Sequence, residues 1–415
     1  MRTLTGMRRD PSLTQSVKIC AAAVAFGAAT SLAAQPQWQD VIRNLRHPEA
    51  GRRLEAVERL DRANYVAAVD PIAPLVRDPD DRVQSAAIDA ELTFFLSDRV
   101  SDRRILGVGG SKSRAQLAFE AGPVLRTATP APPALVEVLT TAIRDENARV
   151  RFDAVHALGF IAEAPLSAEQ LRAVANELDH YDPVIRAATA RVLGRLRQRD
   201  AGDRLMAAMD DSSGTVRQFA VESLGLVRED RALPRLRDLI ARAGSRNVDG
   251  LALALARIGA PDDLAYFKEH LADRSAGARR AAAEGIGRIG DRASVGALET
   301  LATTDRASAV RLAAAFALHR LGQNQTQAIA AALAEEALAT QAREYLFEIG
   351  REAVPGVRAA LAGATESRHR ADVVQIIGYL GDASSLAIVQ PLLADPDERV
   401  QRAANAAVTR IRRAQ

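Results

Sequence analysis

The chain repeats itself about every 31 residues, and every copy reads as the second helix of a helical hairpin. Val150, Arg151, Ala154, Ala157 and Leu158 return as Val216, Arg217, Ala220, Ser223 and Leu224, and again as Val310, Arg311, Ala314, Ala317 and Leu318. A unit this short cannot bury its own apolar face. It must stack on its neighbours, so the chain is constrained to a solenoid whose function lies on the long surface the stack displays.

The copies can be counted by the position of the valine in Val-Arg. It falls at Arg52, Val83, Val150, Ile185, Val216, Val248, Ala278, Val310, Ala342, His369 and Val400, at steps of 31, 67, 35, 31, 32, 30, 32, 32, 27 and 31 residues. The 67-residue step spans about two periods and predicts a degenerate or overwritten copy, giving about twelve hairpins from residue 37 onward. Within a copy, apolar residues at 0, +4, +7 and +8 form one stripe of a helix with 3.6 residues per turn. Glycines past each stripe, at 159, 194, 225, 259, 290, 322, 350 and 381, are expected to close the helices. Asp78-Pro79-Asp80, Asp182-Pro183 and Asp395-Pro396-Asp397 supply capping carboxylates at the starts. Apolar segments upstream, at Leu233–Ile240, Ala297–Leu301 and Val389–Leu393, are expected to be the first helices of the hairpins.

The recurring pattern Asp-x-Asp-x-x-Val-Arg-x-x-Ala-x-x-Ala-Leu-Gly resembles the short bacterial HEAT repeat, also described as phycobilisome-lyase-like. The resemblance covers most of the chain after residue 40. It implies an all-α fold, an α-α superhelix. Composition agrees: 48% of residues are hydrophobic and only 4% aromatic, which suits closely packed helices built from Ala, Leu, Val and Ile. The expected organisation is a leader at 1–34, N-terminal repeats at 35–97, an irregular insertion or degenerate repeat at 98–133, and a regular array at 134–415.

Residues 1–34 read as a secretory signal peptide. Arg2, Arg8, Arg9 and Lys18 precede an Ala-rich apolar run from Ile19 to Leu32, with small residues before Gln35-Pro36. The run is too short to span a bilayer comfortably. The mature chain is therefore expected in the periplasm or outside the cell, without insertion in the membrane. The whole chain has 55 basic and 52 acidic side chains; the leader holds four basic and one acidic, leaving 51 of each. That balance argues against nucleic acid as a partner. The single cysteine, Cys20, lies in the leader, so the mature chain has no disulfide and no thiolate nucleophile or metal ligand.

The resemblance also brings in enzymes. The deoxyhypusine hydroxylase type holds a di-iron centre with repeated His-Glu pairs, but no His-Glu dipeptide occurs here, and no two of His47, His156, His180, His270, His319 and His369 stand four residues apart. Bilin lyases share the repeat without a residue that marks their activity. A HEAT-like enzyme, either bilin-lyase-like or metal-oxygenase-like, is thus the alternative reading, and no catalytic, metal or cofactor-binding residue is assigned. Gly107, Gly109 and Gly110 before Lys112-Ser113 approach a phosphate-binding loop, yet Ser111 stands where that loop has glycine.

An arginine follows the anchor in Arg151, Arg186, Arg217, Arg279, Arg311 and Arg370, and Asp145, Asp210, Asp273 and Asp305 are placed to pair with it across neighbouring turns. Along one flank of the buried stripe the copies differ. His156, Arg191, Phe219, Glu222, Arg288, Phe316, Arg320, Tyr345 and Tyr379 set aromatic rings among charges there, the composition of a protein-binding face. The expected function is a non-catalytic scaffold of the cell envelope. It binds a protein or peptide on the concave face, without a cofactor.

Overall fold

The computed structural model describes residues 38–96, 112–122, 126–162, 166–243, 248–381 and 383–414. The expected signal peptide, and residues 101–111 of the glycine-rich stretch, lie outside them. The described chain is helical apart from one isolated bridge between Leu96 and Arg126.

Each of the eleven anchors falls in its own long helix. These are α1 (Ala50–Arg62), α2 (Asp81–Phe95), α3 (Ala148–Ile161), α4 (Pro183–Arg195), α5 (Gly214–Val227), α6 (Val248–Ile258), α7 (Ala276–Ile289), α8 (Ser308–Arg320), α9 (Glu336–Ile349), α10 (Ser367–Leu380) and α11 (Glu398–Arg413). Shorter helices precede them, including the expected Leu233–Ala243 and Val295–Thr304. The segment around Pro391 splits into a short α-helix, Leu386–Val389, and a 3₁₀ stretch, Gln390–Ala394, as a missing N–H dictates. The capping carboxylates act as expected: Asp80, Asp182 and Asp397 accept the backbone N–H of Arg82, Val184 and Arg399 at 3.0, 2.8 and 2.8 Å.

The arginine ladder exists, with altered rungs. The Arg186 guanidinium donates backward to the carbonyls of His180 and Tyr181 and forward to both oxygens of Asp211, at 2.7 and 2.8 Å. Arg279 does the same with Asp305, Arg53 with Asp78, and Arg370 reaches Asp395. Asp210, expected as a rung, pairs with Arg235 instead, because Asp211 holds the turn by accepting the Ser213 N–H. Arg151, Arg217 and Arg311 donate to the carbonyls of Asp145, Asp211 and Asp305.

The long helices pack directly on one another, whereas the shorter ones from Ala168–Asn176 to Val295–Thr304 make almost no mutual contact. The long helices therefore line the inner, tightly curved side. This explains a correction: Gly159, Gly194 and Gly225 lie inside α3, α4 and α5 and close no helix. A Cβ at Gly225 would stand 2.8 Å from the Ala254 Cα of α6, so the missing side chain lets consecutive inner helices approach. Gly381 likewise has an ordinary φ of −70°. The closing role at positive φ holds at Gly259, Gly290 and Gly322, and Gly350 ends α9 with φ 76° and an extended ψ of −141°.

Eleven units are counted among the described residues, in keeping with the expected number of about twelve, and the 67-residue step joins two neighbouring ones. α2 packs on α3 as an immediate neighbour, and Gln84 donates to Asp145 (2.8 Å) while Asn147 donates to Asp81 (2.6 Å) across their opening turns. The intervening segment is an insertion with its own helix, Arg114–Ala121, which packs mainly on α3. Its Arg114 donates to Asp61, the Asp89 carbonyl and Thr93 at 3.0, 2.9 and 2.7 Å.

The row of long helices is interrupted at α9. Thr326–Ala331 packs on Val354–Gly363, so shorter helices touch there, while α9 leaves the row and barely meets α10. A cavity of about 350 Å³ opens beside α8, lined by Leu312, Ala315, Leu318 and Leu338 and edged by Glu299 and Arg311. At the far end Arg410 of α11 donates to the carbonyls of Arg126 and Thr127, and Arg413 to that of Ala128. The last inner helix thus returns to the insertion beyond α2.

Candidate functional site: the inner wall

The nine candidate residues fall into three places and two outliers. His156, Arg191 and Phe219 share a groove of about 430 Å³ between the opening turns of α3, α4 and α5 and the insertion helix. Phe152, Pro183, Val184 and Gln116 complete it. The apolar stripe is buried in the stack, which leaves the +3 and +6 positions facing inward, where the insertion helix covers part of them.

The groove is held by stacked rings and guanidiniums. Arg191 lies over both the Phe119 and Phe219 rings, at 5.3 and 5.2 Å, and meets Glu120 at 3.4 Å. Arg195 also sits over the Phe119 ring, at 4.6 Å, and its guanidinium donates to the Phe119 carbonyl. Burial works against the Glu120 charge, but the hydrogen bond and charge of Lys112, with Arg191, outweigh it and hold the carboxyl below its ordinary value. His156 is buried at the base. Its Nδ1 donates to the Phe152 carbonyl at 2.9 Å, and burial pulls its pKa down to about 4, so it is neutral at physiological pH. Val184 on the wall and nearby Tyr181 are 54% and 80% exposed, unusual for large apolar side chains.

Arg288, Phe316 and Tyr345 also come together, but as interior. Phe316 and Tyr345 are fully buried and stacked at 4.2 Å, with Arg288 5.0 Å over the Phe316 ring. The Tyr345 hydroxyl donates to Glu284 at 2.5 Å. Glu284 also accepts from Arg280 and Arg288, and Arg288 continues to Glu348 at 2.9 Å. These three residues are spoken for by α9, which crosses the inner wall: Glu348 meets Arg228 at 2.9 Å and Glu344 meets Arg257 at 3.1 Å. The expectation that they face a partner is corrected accordingly. Burial would raise Glu284, yet the Arg288, Arg280 and Arg257 guanidiniums hold it down to about 2.

Tyr379 lies under Arg410, 3.9 Å from the ring centroid, where α11 returns to the insertion. Glu222 is half-buried and 4.0 Å from Arg257; Arg320 is exposed at the end of α8. Sequence reasoning missed Phe119, Glu120 and Phe152. Phe152 was visible as the inward +2 residue of its copy, whereas Phe119 and Glu120 belong to a helix outside the repeat register and carried no periodic signal.

Among the described residues no group of three or more His, Cys, Asp or Glu side chains is placed to hold a metal ion, and no helix is long and apolar enough to cross a membrane.

Residues 171–255 and 266–346 match the family described as HEAT repeats. No curated protein matches the sequence. Among solved structures, the chain is similar to an engineered protein at 17% identity, with 90% of this chain and 98% of that one covered and a TM-score of 0.41. It is similar to the complex of CpcE and CpcF of phycocyanin lyase from Nostoc sp. PCC7120 at 19% identity, over 66% and 94% of the chains, with a TM-score of 0.38. It is similar to human deoxyhypusine hydroxylase in complex with glycerol at 20% identity, over 67% and 96%, with a TM-score of 0.31. Likenesses of this strength carry no argument about activity. Over residues 171–255 and 266–346, then, the chain is built of HEAT repeats, set in an all-helical solenoid that continues the same hairpin on both sides.

Proposed function

We propose that this protein is a non-catalytic binding scaffold that holds a segment of a partner protein, or a peptide, in the groove walled by α3, α4, α5 and the insertion helix. The observation that carries the reading is the groove itself. About 430 Å³ of space lies between half-buried Phe152 and Phe219, the Arg191 guanidinium and exposed Val184, all fixed on packed helices. Aromatic and arginine anchors in a concave, preformed site are the elements of a binding hot spot, and a rigid wall loses little entropy when it is occupied. The leader reading at 1–34 supports an envelope or extracellular setting for that partner.

The test is site-specific crosslinking. A photoreactive residue at Val184 of the full chain is expected to capture a discrete partner from envelope extract. Val184→Asp and Phe219→Asp variants with unchanged circular dichroism are expected to lose a partner that binds the wild type, while a substitution at exposed Val66 keeps it. Equal capture by all variants, or none by the wild type, refutes the groove.

A further inference from the structure

Six inner helices end at the same register, eleven or twelve residues past the anchor, on a residue in the left-handed conformation. Four of the six are Asn64, Gly259, Gly290 and Gly322, types that adopt positive φ readily. The other two are arginines, Arg197 (φ 51°) and Arg228 (φ 54°). Both close α4 and α5 as glycine closes α6 and α7, with the next N–H reaching back five residues to its last turn: Gln198 to the Leu193 carbonyl at 3.1 Å and Glu229 to the Leu224 carbonyl at 3.0 Å. Closing a helix there requires no guanidinium. An unbranched side chain in this conformation carries a backbone cost that glycine avoids, and outliers of this kind concentrate at functional sites.

The two arginines share a destination. With Arg257 and Arg288 they line one pocket at the C-terminal ends of α4 to α7, opposite Glu344 and Glu348 of α9. Its free volume, about 30 Å³, is room for one or two water-sized groups. Arg288 is committed to Glu284 and Glu348, and Arg257 to Glu344. Arg228 shares Glu348 with Arg288, and Arg197 has no ion-pair partner among the described residues. Glu284 and Glu222 also pair with Arg288 and Arg257, so charge within the pocket is close to balanced, and the unused donors at its exposed mouth are those of Arg197.

We propose that this pocket is a carboxylate-binding site, in which Arg197 and Arg228 receive the carboxylate of an acidic side chain or chain terminus. The planar fork of arginine matches a carboxylate in a two-point contact. A pocket of this size that already holds two glutamates accepts a single flat monoanion, and a bulkier dianionic phosphate meets both the walls and Glu348. The site stands apart from the groove at the opening turns of α3 to α5 and does not depend on it.

The register supplies the experiment. Arg197→Gly and Arg228→Gly place in α4 and α5 the residue that α6 and α7 already use, so the variants are expected to keep the wild-type thermal midpoint or exceed it. The probe is a fluorescein-labelled octaglutamate peptide, read by anisotropy on the full chain in low salt, with an octaglutamine peptide and inorganic phosphate alongside. Expected are saturable, salt-sensitive binding of octaglutamate, no binding of octaglutamine, and at least a tenfold loss of affinity in each variant. Phe219→Ala, outside the pocket, is expected to leave octaglutamate affinity unchanged, which separates failure here from failure of the groove. No octaglutamate binding by the wild type, undiminished binding by the folded variants, displacement by phosphate at concentrations where acetate has no effect, or a lowered midpoint that marks the arginines as structural would each overturn the assignment.

Discussion

The inner wall is built twice from the same hairpin and finished in opposite ways. At α3 to α5 the insertion helix covers only the base, so Arg191 bridges two phenylalanine rings beside an open groove. At α7 and α8 the wall is sealed by α9, and the same kinds of residue become a buried cluster: Phe316 on Tyr345, Arg288 between Glu284 and Glu348. Aromatic and charged side chains on the inward flank are therefore no sign of a binding face by themselves. What decides is whether another element of the chain lies across them.

The sealed region should break hardest. Glu284 balances two buried guanidiniums, so Glu284→Gln leaves Arg280 and Arg288 short of charge and is expected to cost about 3–5 kcal/mol in urea unfolding. Phe316→Ala opens a hole at a fully buried ring and should cost a similar amount, about 3–5 kcal/mol. The pH dependence has a definite sign. Because the folded carboxyl of Glu284 is held to about 2, below its ordinary 4.5, its stabilisation is present above 4.5 and is lost as pH falls toward 2. Acid unfolding of Glu284→Gln should be flatter across that window; an unchanged slope would mean that the cluster is not what acid attacks.

Glu91 sharpens the contrast, being a buried glutamate without arginines. It sits in α2 eight residues past its anchor, where other copies have Leu158, Leu193 and Leu224, and neither carboxyl oxygen has a hydrogen-bond partner. Burial, aided by the charge of Asp70, pushes its pKa well above the ordinary value. Glu91→Leu restores the residue the repeat uses and should stabilise the protein by about 1–3 kcal/mol. The sign is opposite to that of Glu284: a raised pKa favours the folded state below about 4.5, and that advantage fades as pH climbs toward the folded value. The gain from Glu91→Leu should therefore be larger at pH 8 than at pH 4, measured as the difference in urea midpoints.

How far the sequence reached follows from the range of each interaction. The stacking was legible because anchors 31 residues apart meet in neighbouring helices, and all eleven anchors landed in one. The glycines were misjudged where a short side chain serves packing, as at Gly225 against Ala254, since closing a helix and admitting a neighbour ask for the same residue. Of the candidate site, His156, Arg191 and Phe219 were found because they vary on an inward flank of a regular repeat. The insertion helix that walls them, and the departure of α9 that buries Phe316 and Tyr345, depend on contacts across 60 to 76 residues that no period records.

The smallest effect on stability should carry the largest effect on binding. Phe219 is only half-buried, with Arg191 on its ring and open space beside it, so Phe219→Ala forfeits part of a side-chain burial, about 1 kcal/mol. Phe316→Ala removes a similar ring for several times that amount and changes nothing a partner can reach. If the groove is where recognition occurs, Phe219→Ala should abolish crosslinking from Val184 while its thermal midpoint stays near wild type. A second readout checks that the ring acts directly: Phe219→Tyr keeps the aromatic face under Arg191 and should restore capture. Should Phe219→Ala instead unfold the protein as deeply as Phe316→Ala, both halves of the wall would be interior, and the difference between them would vanish.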